Sequence, residues 1–273
     1  MKLKTKTIVF TLLALSFYVA SCKKSNESGG SAVNLFTIDD DISFGKKTVT
    51  QIESNPTEYP ILNRDQYSVA YEHIERITAS ILNSGKLAYR NQFEWKVKLI
   101  NKNVLNAFCT PGGYIYVYTG LIKYLDDEAS LAGVMGHEIA HADNRHATNQ
   151  MTKQYGTQTL LSILTGNDKN QMADLVTSLI LLKYSREDET DADKFSVVFL
   201  NATDYDPQGA KYFFEKISAS SQNIVPEFLS THPSPDNRIQ QITNKWIELG
   251  SKVGQKYDIR YQEFKNALPV QYQ

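Results

Sequence analysis

The sequence predicts an α+β domain that is mostly α-helical, with a small β-sheet and one chemistry-bearing helix. Three observations predict it. Apolar residues recur at helical spacing in several stretches along the chain. Alternation at period two is confined to two short runs near the middle. The longest helical stretch encloses a cluster of histidine and glutamate.

The chain has 273 residues, with 29 Lys+Arg against 30 Asp+Glu, 22% charged and 41% hydrophobic. This is an ordinary globular composition, long enough to bury a core without disulfides. It argues against disorder, a collagen-like repeat and a polytopic membrane protein. A net charge of −1 also argues against a nucleic-acid partner.

Taken in order, the elements begin with a targeting segment. Lys2, Lys4 and Lys6 precede an uncharged run from Thr7 to Ser21, shorter than the about 20 residues of a membrane span. This reads as a secretory signal peptide. Val19-Ala20-Ser21-Cys22 resembles a bacterial lipobox, so residues 1–21 are expected to be removed and Cys22 to carry lipid. Residues 22–34 are polar and Ser/Gly-rich, a flexible tether, and 35–273 form a single domain. Cys109 is then the only unmodified cysteine, expected to be buried and inert.

Tyr67, Ala70, Ile74, Ile77 and Ile81 predict a helix that Gly85 stops. Trp95, Val97 and Leu99 alternate as a strand. After Pro111-Gly112-Gly113 a second strand turns Ile115 and Val117 one way and Tyr114, Tyr116 and Tyr118 the other. From Asp127 to about Tyr155 the pattern is helical, with Leu131, Val134, Met135 and Ile139 on its apolar side. Further helices are predicted over about 171–183, 186–200, 207–219 and 236–248. The apolar stretch from Leu175 to Leu182 is too short to cross a membrane and reads as core.

His137-Glu138-Ile139-Ala140-His141 lies inside the 127–155 helix. Spacing i, i+4 places both imidazoles on one face, within reach of a single Zn2+. Glu138 projects beside them, where a carboxylate can take a proton from metal-bound water. A third ligand is needed. The longer HExxHxxGxxH pattern would supply it, but this chain has Asn144 and Ala147 where that pattern wants Gly and His. On a continuous helix His146 points about 140° from the ligand face and reads as structural. Downstream, Ser185-Arg186-Glu187-Asp188-Glu189-Thr190-Asp191-Ala192-Asp193 sets Glu189 and Asp193 one helical turn apart. That suits one carboxylate on the metal and another on a ligand histidine's free N–H. The alternative is a solvated acidic helix start.

HEIAH followed by SREDETDAD resembles the HtpX-type gluzincin metallopeptidases, whose pattern is HExxH and then SRxxExEAD. FTIDDDISFGKKT (36–48), NAFCTPGGYIYVYTGL (106–121), YDPQGAKYFFEKI (205–217) and THPSPDNRI (231–239) are family-like too, so the resemblance spans about residues 36–247. Asp191 stands where the family usually has Glu. The family's paired membrane spans are missing, and the likeness is to its short lipoprotein branch, without a helical-repeat domain.

The resemblance implies a gluzincin-like metallopeptidase domain holding one zinc per chain on His137, His141 and Glu189. Glu138 would be the general base, and Asp193 would orient a ligand histidine, His137. The strand carrying Tyr114, Tyr116 and Tyr118 would be a sheet edge that binds substrate by β-augmentation; the alternative is a solvated tyrosine face. His232 and Arg238 are candidates for stabilising the oxyanion. Alternatively His232 fills the open zinc position and Arg238 forms a structural ion pair. The implied function is a zinc metalloendopeptidase of the bacterial envelope, hydrolysing misfolded or unassembled proteins. The alternative is a zinc-bearing chaperone or assembly factor with weak or latent proteolysis. Expected partners are protein or peptide substrates, a membrane reached through the N-terminal lipid, and envelope assembly machinery. Lys23 lacks the aspartate associated with inner-membrane retention, which favours the outer membrane on the periplasmic side.

Overall fold

A computed structural model describes residues 36–219, 227–233 and 237–270. The expected signal peptide, Cys22 and the expected tether lie outside them, as do Ser234, Pro235 and Asp236.

Helix α1 (Ile38–Glu53) starts at a reciprocal capping box of Thr37 and Asp40. Sequence periodicity does not reveal it, because its buried stripe is Asp41, Phe44, Gly45, Thr48 and Ile52, helical in spacing but half polar. Gly45 meets a close neighbour: a Cβ there would lie 2.1 Å from the Pro111 carbonyl oxygen. Helix α2 (Ser68–Leu82) follows the predicted apolar stripe.

Three strands follow: β1 (Lys96–Ile100), β2 (Ala107–Thr110) and β3 (Tyr114–Tyr118). Their order is β1-β3-β2, with β1 parallel and β2 antiparallel to β3. β3 is therefore central, hydrogen-bonded along both sides. Tyr114, Tyr116 and Tyr118 are 5%, 0% and 4% exposed. This corrects both the substrate-binding edge strand and the solvated tyrosine face.

Beyond β3 lies the short α3 (Thr119–Tyr124). The predicted 127–155 helix is then two helices, α4 (Glu128–Asp143) and α5 (His146–Tyr155). Between them Arg145 is left-handed, φ 58° and ψ 31°, a conformation that costs a non-glycine residue about 1–2 kcal/mol. Its side chain pairs with the buried Asp41 carboxylate and donates to the Phe36 carbonyl at 2.5 Å. That tie to the start of α1 holds the break.

Helices α6 (Thr157–Thr165) and α7 (Lys169–Ile180) come next and explain the tyrosines. Tyr114, Tyr116 and Tyr118 share a core with Phe44, Ile52, Leu160, Leu164 and Leu175. Ile115 and Val117 share another with α2 and α4. Alternation, usually the mark of a half-solvated strand, here sorts residues between two cores.

The remaining helices are α8 (Arg186–Asn201), α9 (Gly209–Ala219), α10 (Glu227–Thr231), α11 (Arg238–Glu248) and α12 (Asp258–Asn266). α4 is buried on every side, packed chiefly by α8 and α9. It approaches α9 closely: a Cβ on Gly133 would stand 1.9 Å from the Ala210 nitrogen. At its start, buried Glu128 accepts from Arg76 at 2.5 and 2.8 Å, from the Tyr205 hydroxyl at 2.5 Å, and from Arg260. Cys109 is buried with a free thiol. Among the described residues, no helix is long and apolar enough to cross a membrane.

Candidate metal centre

α4 brings the Nε2 atoms of His137 and His141 to 3.0 Å of each other. α8 supplies Glu189 from the opposite side. The Ser185–Asp188 capping box starts that helix, and small Ala192 and Ser196 are buried beside α4. Glu189 Oε2 lies 3.5 Å from His137 Nε2, and Oε1 lies 3.4 Å from His141 Nε2. His232, following α10, places Nδ1 2.9 Å from Glu189 Oε1 and 3.3 Å from His137 Nε2. These four residues are buried, and one donor atom from each lies within 4.8 Å of all the others.

Asp193, one turn beyond Glu189, sets Oδ1 2.9 Å from His137 Nδ1. Arg238 donates to both Asp193 oxygens, from Nη2 at 2.5 Å and from Nε at 2.7 Å. Its Nη1 is 3.0 Å from Glu189 Oε2. Glu138 stands apart from this network. Its Oε1 is buried without a hydrogen-bond partner, 3.4 Å from His232 Nε2.

The charges fit a divalent cation. Glu138, Glu189 and Asp193 against Arg238 leave a buried net charge of −2 when the histidines are neutral. Burial lowers the pKa of His137, but hydrogen bonds to Asp193 and Glu189 outweigh it and raise it to about 9. Burial, aided by neighbouring His137 and His146 and against a bond to Glu189, drives His141 well below the usual imidazole range, and burial, aided by the Glu189 charge, raises the carboxyl of Glu138. Burial also pushes Glu189 up, but the charge of His232 and bonds from three histidines hold it far below. Two imidazole nitrogens and a carboxylate oxygen, buried together with Glu189 Oε2 beside Arg238 but without a hydrogen-bond partner, form a donor set suited to Zn2+.

Two neighbours escape sequence reasoning. Tyr184 stacks on His141 with ring centroids 3.9 Å apart; its place just before Ser185-Arg186 is the only signal. His146 is not turned away from the site. The break at Arg145 redirects α5, so His146 Nδ1 comes to 3.0 Å from His141 Nδ1. The expectation of divergence assumed a continuous helix.

A helix-borne His-Glu-x-x-His motif, met by a carboxylate from a second helix and balanced for a divalent cation, defines a metallopeptidase domain. The chain belongs to peptidase family M48, whose profile matches residues 70–245. It is 27% identical over 278 residues to the beta-barrel assembly-enhancing protease of Escherichia coli K12, covering 94% of this chain and 55% of that protein. It is 34% identical over 145 residues to the mitochondrial metalloendopeptidase OMA1 of Arabidopsis thaliana, covering 53% and 30%. With the human metalloendopeptidase OMA1 the identity is 29% over 170 residues, covering 56% and 32%. The matches thus span about half, or less, of these curated relatives' length.

Proposed function

We propose that this chain is a zinc-dependent metalloendopeptidase of the bacterial periplasm that hydrolyses misfolded or unassembled proteins. The observation that carries this reading is the convergence of His137, His141 and Glu189 beside the unpaired Oε1 of Glu138. His137, His141 and Glu189 would hold the ion, and zinc bound there would supply a water of lowered pKa, about 7, and a Lewis acid for a scissile carbonyl. Glu138 takes the proton of the attacking water and passes it to the departing amine. Its burial, by raising its pKa, suits a group that must hold that proton in between. Asp193 accepts the Nδ1–H of His137 and so aims Nε2 at the ligand point. Arg238 holds Asp193 and Glu189, which makes it a positioning residue instead of an oxyanion donor.

The lipobox at Val19–Cys22 supports a lipid anchor, and Lys23 supports the outer membrane. The likeness to a beta-barrel assembly-enhancing protease supports envelope assembly machinery as a partner. The mechanism is tested with Glu138→Gln on unfolded casein. The variant keeps zinc and fold and loses about 10²–10⁴ in rate. Undiminished cleavage overturns the reading.

A second reading is favoured by His232, which lies among the donor atoms where it competes with water. The resting protein is then a zinc-bearing chaperone or assembly factor whose proteolysis is latent until His232 is displaced. His232→Ala against a quenched peptide distinguishes the roles. Faster turnover identifies a plug, whereas kcat lower by about 10²–10³ with unchanged KM identifies an oxyanion donor.

A further inference from the structure

A zinc-ligating histidine holds its metal best when its other ring N–H is engaged, which fixes orientation and tautomer and raises basicity. His137 has Asp193 for this. Among the described contacts, His141 Nδ1 meets no carboxylate; it meets another imidazole. We infer that His146 is the positioning residue of His141, its Nδ1 accepting the His141 Nδ1–H in a tautomer that Asp191 selects. The inference rests on the zinc reading above.

The geometry is that of a directed contact. The two rings lie edge to face, centroids 5.0 Å apart and 77° between planes, with the Nδ1 atoms 3.0 Å apart. At the far end, His146 Nε2 faces Asp191 Oδ2 at 3.4 Å and Asp188 Oδ1 at 3.8 Å. Two carboxylates there favour the proton on Nε2, which leaves the Nδ1 lone pair free to accept. Asp191 is itself held, since Asn144 Nδ2 donates to its Oδ2 at 3.0 Å. Tyr184 stacks on the face of His141, so that ring is clamped by a stacked aromatic and by a bond at Nδ1.

The backbone is bent to make this contact. On an unbroken helix His146 would sit about 140° around from His141. The left-handed Arg145, anchored on Asp41 and on the Phe36 carbonyl, brings it back. A side chain that only fills space would not need its ring nitrogens aligned between His141 and an anchored carboxylate.

The test is zinc affinity, read by competition with a chromophoric chelator, for wild type, His146→Leu, His146→Asn and Asp191→Asn. His146→Leu keeps the bulk without an acceptor and loses about 10–100-fold in affinity. His146→Asn places Oδ1 near the lost Nδ1 and recovers most of that affinity, a rescue that a packing role would not produce. Asp191→Asn, more exposed, gives a smaller loss. In the zinc form, the His141 Nδ1–H proton resonance persists in wild type and His146→Asn and exchanges away in His146→Leu. Wild-type affinity in His146→Leu overturns the inference, as does equal loss in Leu and Asn with that resonance unchanged. If the Leu variant fails to fold, the Asn variant and the wild-type resonance decide. A wild type that binds no stoichiometric zinc overturns the zinc reading itself, whereas a wild type with zinc and an unaffected Leu variant overturns only the role of His146.

Discussion

Replacing Arg238 by Met removes the positive side chain from a buried cluster of three carboxylates. Arg238 is 2% exposed. Its Nε and Nη2 satisfy both oxygens of Asp193, Nη1 lies against Glu189, and its plane packs 4.2 Å from the Phe214 ring centroid. Methionine keeps part of that apolar contact but none of the charge. Removing one partner of a buried ion pair costs about 3–5 kcal/mol, because the carboxylates left behind are out of water and keep only imidazole partners. In a domain of this size each kcal/mol moves the melting temperature by about 2–4 °C, so the metal-free variant melts about 6–20 °C lower. Zinc restores positive charge beside Glu189, so the zinc-bound variant loses less, and zinc raises its Tm by more than it raises wild type's. Arg238→Lys is intermediate, since one ammonium does not reproduce the fork that grips two carboxylates. Calorimetric melts of both proteins, with a chelator and with zinc, measure all of this. A metal-free variant within about 2 °C of wild type, or equal losses with and without zinc, refutes the charge balance argued for the site.

On the proposed zinc reading, Glu189→Ala should lose the ion by elemental analysis, since two histidines alone make an incomplete ligand set; full occupancy removes Glu189 from the set. Gly133→Ala puts a methyl 1.9 Å from the Ala210 nitrogen and should destabilise the fold by about 1–3 kcal/mol or more, with an unchanged urea midpoint refuting the close α4–α9 approach. Burial alone would raise the pKa of Glu128, but hydrogen bonds from Arg76, Arg260 and Tyr205 hold it below the ordinary value. Its contribution is therefore present above the unfolded carboxylate pKa of about 4.3 and lost as pH falls through its folded value. Urea midpoints of Glu128→Gln measured downward from pH 6 should accordingly fall less steeply than those of wild type, and parallel profiles would count against the pairing. Cys22→Ser should abolish incorporation of labelled fatty acid, and membrane retention of the unlipidated protein as an integral component would reveal an anchor elsewhere.

The candidate metal-binding cluster and the helices that carry it are legible from sequence because their information is local. His137 and His141, like Glu189 and Asp193, are one helical turn apart, and that spacing alone puts each pair on one face. The stripe of Ile74, Ile77 and Ile81 is legible for the same reason. Helix α1 is not, because its buried positions include Asp41, Gly45 and Thr48, whose burial depends on Arg145 and Pro111 far along the chain. The tyrosine face of β3 illustrates the same limit. Alternation records that a strand has two different sides, but only packing against α1, α6 and α7 decides that both are covered and that the strand is central. The break at Arg145 is decided by a partner about a hundred residues upstream, and that break turns His146 toward His141. Sequence spacing thus determined which residues can share a helix face and so which chemistry is present. Tertiary structure decided what stands opposite each face, because ion pairs, close backbone approaches and second cores join segments whose separation along the chain carries no periodic signal.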